Sequence, residues 1–138
     1  IAADVALTER VSAFSMFLGG AVLFWVAGFD LIYATLDHEF DKKNGMRNLV
    51  VTLGISRALF LSRFFHGLCL MLFVLAGNQA HLGWIYYLGL VTVLALLIYE
   101  HSLVTAHDLS RVNMAFFTLN GYVAMVYFLF TSIAIYAK

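Results

Sequence analysis

The stretch GFDLIYATLDHEFDKKNGMRNL, residues 28–49, places Asp30, Asp37, Glu39 and Asp41 together at the end of a long apolar run. The surrounding chain is 63% hydrophobic and only 12% charged. Carboxylates at the edge of a membrane are costly to hold, and where they occur they mark function. How this stretch is read decides both the fold and the chemistry.

Outward from it, the chain divides into apolar runs. Residues 11–36 carry one charge, Asp30, and residues 58–77 are apolar apart from Arg63 and His66. Residues 82–99 and 112–137 carry no charge. Each run is close to the roughly 20 residues that a membrane-spanning helix needs. Packed as a water-soluble core, four such runs in 138 residues with a mean hydropathy of +0.91 would leave almost nothing polar to cover them. The pattern predicts an all-α transmembrane chain, one membrane domain over 1–138, with helices at about 11–36, 58–77, 82–99 and 112–137.

Charge placement gives the orientation. Eight basic and eight acidic residues cancel, so bulk charge argues against a nucleic-acid partner. Lys42, Lys43, Arg47 and Arg57 flank the first connection, residues 37–56, and Arg111 ends the third. The second connection, 78–81, has no Lys or Arg, and Arg10 and Lys138 lie toward the two chain ends. The positive-inside rule then puts the first and third connections in the cytoplasm. Asp30, Asp37, Glu39, Asp41, Glu100 and Asp108 fall at or near that same face.

Extended as one helix through Asp41, the first run would bring Asp30, Tyr33, Asp37 and Asp41 within roughly 80° of one another, with Glu39 opposite. Asp37 and Asp41 would stand one turn apart, about 6 Å along the axis. That D-x-x-x-D spacing lets two carboxylates offer oxygen to one hard cation such as Mg²⁺, which commonly joins carboxylates to substrate phosphates. Lys42, Lys43 and Arg47 follow closely, and a departing diphosphate needs such positive charge. The plainer alternative is a solvated helix end with lysines set for topology. Asp30, deeper in the apolar run on the same face, favours the functional reading.

These residues resemble a known family. Phe29, Asp30, Tyr33, Ala34, Asp37, Asp41 and Gly45 match the second aspartate motif of UbiA-superfamily membrane prenyltransferases, in the 4-hydroxybenzoate polyprenyltransferase branch, and Arg47 supplies the basic residue two beyond the glycine. YEHSLV, residues 99–104, and DLSRVNMAFFTLNG, residues 108–121, resemble the last two helices of the same branch. The resemblance implies a bundle of about nine helices, of which this chain is the C-terminal four. It also implies transfer of a polyprenyl group from a polyprenyl diphosphate to an aromatic acid, as in ubiquinone or menaquinone biosynthesis.

By the same resemblance Asp37 and Asp41 are the Mg²⁺ ligands, and Arg47, with Lys42 and Lys43, binds the diphosphate. Asp30 and Tyr33 become the catalytic candidates, Asp30 for stabilising the allylic cation or polarising the acceptor phenol, Tyr33 for orienting either. His101 is a candidate for the acceptor carboxylate. Asn120, on a helix face with Asn113, is a candidate substrate contact whose default role is interhelical hydrogen bonding. The family's first motif, Asn-x-x-x-Asp-x-x-x-Asp, does not occur in the sequence. With Ile1 in place of a methionine, the chain reads as part of a longer protein. An N-terminal half is therefore an expected partner, beside the lipid bilayer, and the chain alone is expected to be inactive. The implied setting is a bacterial inner membrane with the active site facing the cytoplasm.

Two other functions compete. A membrane anchor or electron-transfer subunit would use His66 as a haem ligand, which requires a second histidine at matched depth. A carrier using Asp30 as its ion site leaves Asp37, Asp41 and Arg47 without a role. The remaining features have ordinary readings: Cys69 as a small core residue, Arg63 snorkelling to the surface, Asp108 as N-cap of the last helix, and Gly19–Gly20 as a close helix contact.

Overall fold

A computed structural model describes residues 1–137; Lys138, counted above with the chain ends, lies outside the described residues. The first five helices are α1 (Ala2–Thr8), α2 (Ala13–Tyr33), α3 (His38–Lys43), α4 (Leu49–Leu53) and α5 (Ile55–Gln79). They are followed by α6 (Trp84–Leu103), a π-helical turn (Met114–Leu119) and α7 (Asn120–Tyr136). Four segments, Ala13–Tyr33, Ile55–Gln79, Trp84–Leu103 and Met114–Tyr136, are long and apolar enough to cross a membrane.

Each boundary has a local cause. Ser12 adopts an extended conformation and accepts the Ser15 N–H at 3.2 Å, a standard N-cap for α2. Asp4 reinforces it from α1: its Oδ2 accepts both the Ser12 N–H and the Ser15 hydroxyl at 2.7 Å. The turn between α5 and α6 is closed by the Leu82 N–H on the Gly77 carbonyl and the His81 N–H on the Asn78 carbonyl. His81 takes the left-handed conformation, φ 51°, that this Schellman closure requires. With only residues 80–83 between them, α5 and α6 run antiparallel.

The first helix does not continue to Asp41. It ends at Tyr33, and residues 34–37 descend through tight turns in which Thr35, Leu36 and His38 donate to the carbonyls three residues back. The Thr35 hydroxyl, buried, also takes the Ile32 carbonyl at 2.6 Å. A β-branched residue that bonds its own helix backbone competes with continuation of that helix. A separate short helix, α3, then carries Asp41.

α2 packs most closely on α5. Gly28 lies against the His66 imidazole, so closely that any Cβ at position 28 would overlap the ring, and the Ser62 hydroxyl donates to the Gly28 carbonyl at 2.7 Å. Of the glycine pair, Gly20 faces Leu72 of α5, whereas Gly19 meets Ile1. Small residues at such contacts let helix backbones approach within the membrane. Cys69 is fully buried, in a cluster with Ala21, Phe73, Tyr86 and Leu90. Large apolar side chains such as Phe60, Val91, Ile98, Met125 and Phe128 stay exposed, as expected of spans that meet lipid.

The Asp4 cap is pH-sensitive. The Ser12 N–H, then the Ser15 hydroxyl, hold its carboxyl down to about 2 from an ordinary 3.8. A depressed carboxyl stabilises the fold above its unfolded value and loses that contribution as pH falls through the folded one. Acidification from 3.8 through about 2 is therefore expected to lower the protection of the Ser12 and Ser15 amides relative to their intrinsic exchange rates at each pH. Asp4→Asn should remove that pH dependence.

Candidate active site

The acidic stretch resolves into two differently directed groups. Asp30, exposed on α2, lines a cleft of about 300 Å³ together with Leu31, Asn48 and Phe65. Tyr33 turns away from it: its ring stacks on Phe116 of the π-helical turn, centroids 4.3 Å apart, and meets Phe117 edge-on. Phe29 packs edge-on against the same Phe116. Asp30 and Tyr33, predicted to act side by side, thus face different neighbours.

Asp37 is the N-cap residue of α3, and the Asp41 N–H donates to the Asp37 carbonyl at 2.8 Å. The one-turn backbone spacing of the two residues survives the break in the first helix because Asp37 caps α3 and Asp41 lies in its first turn. The D-x-x-x-D pair follows its own short helix, not the axis of α2. Among the described residues no hydrogen bond or ion pair engages the side-chain carboxylates of Asp30 or Asp37. Asp41 is different: its Oδ2 accepts from Asn48 Nδ2 at 2.6 Å. Asn48 Oδ1 in turn accepts the Val51 N–H at 2.8 Å and caps α4. Asn48 therefore joins Asp41 to the cleft that Asp30 lines.

The loop between α3 and α4 is shaped by sequence. Gly45 adopts φ 68°, and the Gly45 and Met46 N–H groups close on the Lys42 and Asp41 carbonyls. This is a second Schellman closure, which favours glycine at that position. It turns the chain so that Arg47 and Asn48 follow immediately. Lys42, Lys43 and Arg47 are exposed, and among the described residues none meets a carboxylate within ion-pair distance; the one such contact is His38 with Glu39, at 3.1 Å.

Asp37 and Asp41 suit part of a Mg²⁺ site. This ion typically takes one or two carboxylates and fills its remaining positions with water and phosphate oxygen. Among the described residues the Asp37 carboxylate has no hydrogen-bond partner, and Asp41 keeps one oxygen. Among the described residues, no group of three His, Cys, Asp or Glu gathers around one point to hold a metal ion alone.

His101 is brought to His66, a pairing not anticipated from the sequence. The ring nitrogens His66 Nδ1 and His101 Nε2 are 2.9 Å apart, and His66 Nε2 lies 3.3 Å from the Trp25 carbonyl. A carbonyl can only accept, so His66 carries its proton on Nε2 and accepts from His101 Nε2–H. The two imidazoles bond to each other, which leaves no gap for an iron between them. Hairpin geometry held the missing signal: with the turn at 80–83, Gly77 lies against Tyr86 and His66 falls opposite the last turn of α6. With Arg63, they border an apolar groove of about 420 Å³ between these helices.

Asn120 is committed to structure. It accepts from Trp25 Nε1 at 2.8 Å and donates to the Phe116 and Ala115 carbonyls at 2.9 and 3.4 Å. The π-helical turn loosens the regular backbone ladder, and the Asn120 amide occupies carbonyls within it. Asn113, expected on the same face, is exposed while Asn120 is buried. Glu100, which the charge pattern places near the cytoplasmic face, is fully buried, with both carboxylate oxygens unpartnered among the described residues. Asp108 does not cap the last helix directly. Its Oδ1 accepts the Ser110 N–H at 3.0 Å in a local turn, and the Ser110 hydroxyl and N–H hold its carboxyl below the usual range.

The fold and site define an integral membrane chain built from helices, with acidic and basic residues concentrated at one end of its first span. Comparison with known proteins is specific. The UbiA prenyltransferase family profile matches residues 1–135, and the chain belongs to that family. It is 33% identical over 129 residues to the 4-hydroxybenzoate octaprenyltransferase of Nitrosospira multiformis, covering 91% of this chain and 43% of that protein. It is 32% identical over 129 residues to the Escherichia coli protein of the same name, covering 92% and 43% respectively. Over 89 residues it is 36% identical to the Pseudomonas aeruginosa counterpart, covering 64% of this chain and 29% of that protein. The chain spans less than half the length of these curated relatives. No solved structure gives a significant match.

The role of Asn120 is open to a stability measurement. Asn120→Leu strands the Trp25 indole N–H and is expected to cost about 1 kcal/mol, the scale of interhelical hydrogen bonds in membranes. An SDS unfolding titration followed by tryptophan fluorescence reads it.

Proposed function

We propose that this chain is the part of a Mg²⁺-dependent aromatic prenyltransferase that carries its second aspartate motif. The reaction moves a polyprenyl group from polyprenyl diphosphate to an aromatic acid such as 4-hydroxybenzoate, within quinone biosynthesis; a related naphthoate acceptor would serve a menaquinone route. Family membership and the activity for which the relatives are named support the reaction class. The observation that carries the assignment to these residues is the single turn that separates Asp37 from Asp41, beside a cleft lined by Asp30 and Asn48.

In this reading Asp37 and Asp41 hold Mg²⁺ together with carboxylates from a further segment of the same enzyme. When bound, the ion supplies positive charge to the diphosphate oxygens. The chain's own residues do the rest. Lys42 and Lys43 at the end of α3 and Arg47 in the loop that follows, without a carboxylate partner among the described residues, bind the diphosphate and offset the charge it gains as the C–O bond breaks. Asp30 lies on the membrane side of the motif, where a negative group stabilises positive charge on the allylic carbon or polarises the acceptor hydroxyl. Tyr33, packed on Phe116, contributes to an aromatic wall suited to an allylic cation. His101 donates its Nε2–H to His66, so its Nδ1 is left as a hydrogen-bond acceptor, suited to the hydroxyl of the aromatic acceptor rather than to its carboxylate. The basic first and third connections favour a cytoplasmic site in a bacterial inner membrane.

Asp37→Asn is expected to lower turnover about 100-fold or more in membranes containing the whole enzyme, the scale of losing one preorganised electrostatic contact. Transfer of a radiolabelled prenyl chain to 4-hydroxybenzoate measures it, and near-wild-type rates would remove Asp37 from the metal site. The chain expressed alone is expected to show no transfer.

A further inference from the structure

We infer that Asn48 is a positioning residue for Asp41, fixing which carboxylate oxygen is presented to the cation; this rests on the metal-site reading above. Asn48 is half-buried at the start of α4, and its side chain is used at both ends. Oδ1 accepts the Val51 N–H at 2.8 Å, which pins the amide plane to the first turn of α4. That leaves Nδ2 aimed at Asp41 Oδ2, at 2.6 Å. The short separation fits a donor facing a charged acceptor.

The consequence is directional. A free aspartate rotates its carboxylate and presents either oxygen. Here Oδ2 is held by an amide that is itself held by a helix, so Oδ1 is the oxygen left for a ligand. Asp37, one turn away, has no comparable restraint among the described residues. The two carboxylates are therefore unequal: Asp41 is oriented in advance, and Asp37 is left to adjust.

The residue type matters. Serine accepts the α4 N–H as well as asparagine does, and its hydroxyl can also donate, but Oγ sits one bond nearer the backbone than Nδ2, so a hydroxyl held at the cap stands back from Asp41 Oδ2. Asn48→Ser therefore separates capping from positioning, and Asn48→Ala removes both. Partners that orient a metal-binding carboxylate typically change metal affinity about 10–100-fold when lost.

The test uses the whole natural polypeptide, purified in detergent, with Mn²⁺ in place of Mg²⁺ and inorganic diphosphate present. Mn²⁺ binding is read by electron paramagnetic resonance, and thermal unfolding is followed in parallel. Asn48→Ser is expected to raise half-saturating Mn²⁺ about 10-fold with an unchanged unfolding temperature. Asn48→Ala should show the same rise and unfold earlier. If Asn48→Ser binds Mn²⁺ like the wild type, Asn48 is only a helix cap and the inference is overturned. Asp37→Asn and Asp41→Asn provide the separate control. Should both bind Mn²⁺ normally, the metal-site reading fails and this inference falls with it. Should both lose binding while Asn48→Ser does not, only the positioning role is lost.

Discussion

Trp25 is the point at which the helices are tied together. Its carbonyl accepts from His66 of α5, its indole N–H donates to Asn120 of α7, and His66 accepts from His101 of α6. One residue on α2 is thereby linked to each of the other three long helices. Inside a bilayer no water competes for these groups, so a polar side chain that finds a partner also fixes which helix faces stay in register. One turn further along α2, Gly28 admits the His66 ring, and Ser62 donates to its carbonyl. The apolar contacts around these links pack the bundle; the polar links choose its register.

That register sets the acidic end. Asp30 lies two residues beyond Gly28, on a helix already locked to α5. α4 and Asn48 lead directly into α5, so they too are held relative to Asp30. The cleft between Asp30 and Asn48 follows from this, and Asp41 is joined to it by hydrogen bond. The break at 34–37 lets Asp37 and Asp41 leave the axis of α2, while the closure at Gly45 returns the chain toward Asn48.

The buried Glu100 is the least expected feature. Its neighbours in sequence mark a helix end, yet it is fully enclosed and without a hydrogen-bond partner among the described residues. Burying an unpaired carboxylate is costly, and such groups are held neutral or meet a partner from elsewhere.

The sequence by itself determined the membrane character, the number of spans and the acidic motif, because these depend on runs of residue type and on spacing along one element. Apolar runs of membrane length with at most one charge leave few alternatives, and D-x-x-x-D keeps its one-turn spacing in whichever helix carries it. Only the tertiary structure decided where Tyr33 faces, that His66 meets His101, that Asn120 braces the π-helical turn, and that Asn48 holds Asp41. Each depends on how far a helix runs before it breaks, or on which faces meet across dozens of residues. A few degrees of rotation settle such contacts, and hydropathy is blind to rotation.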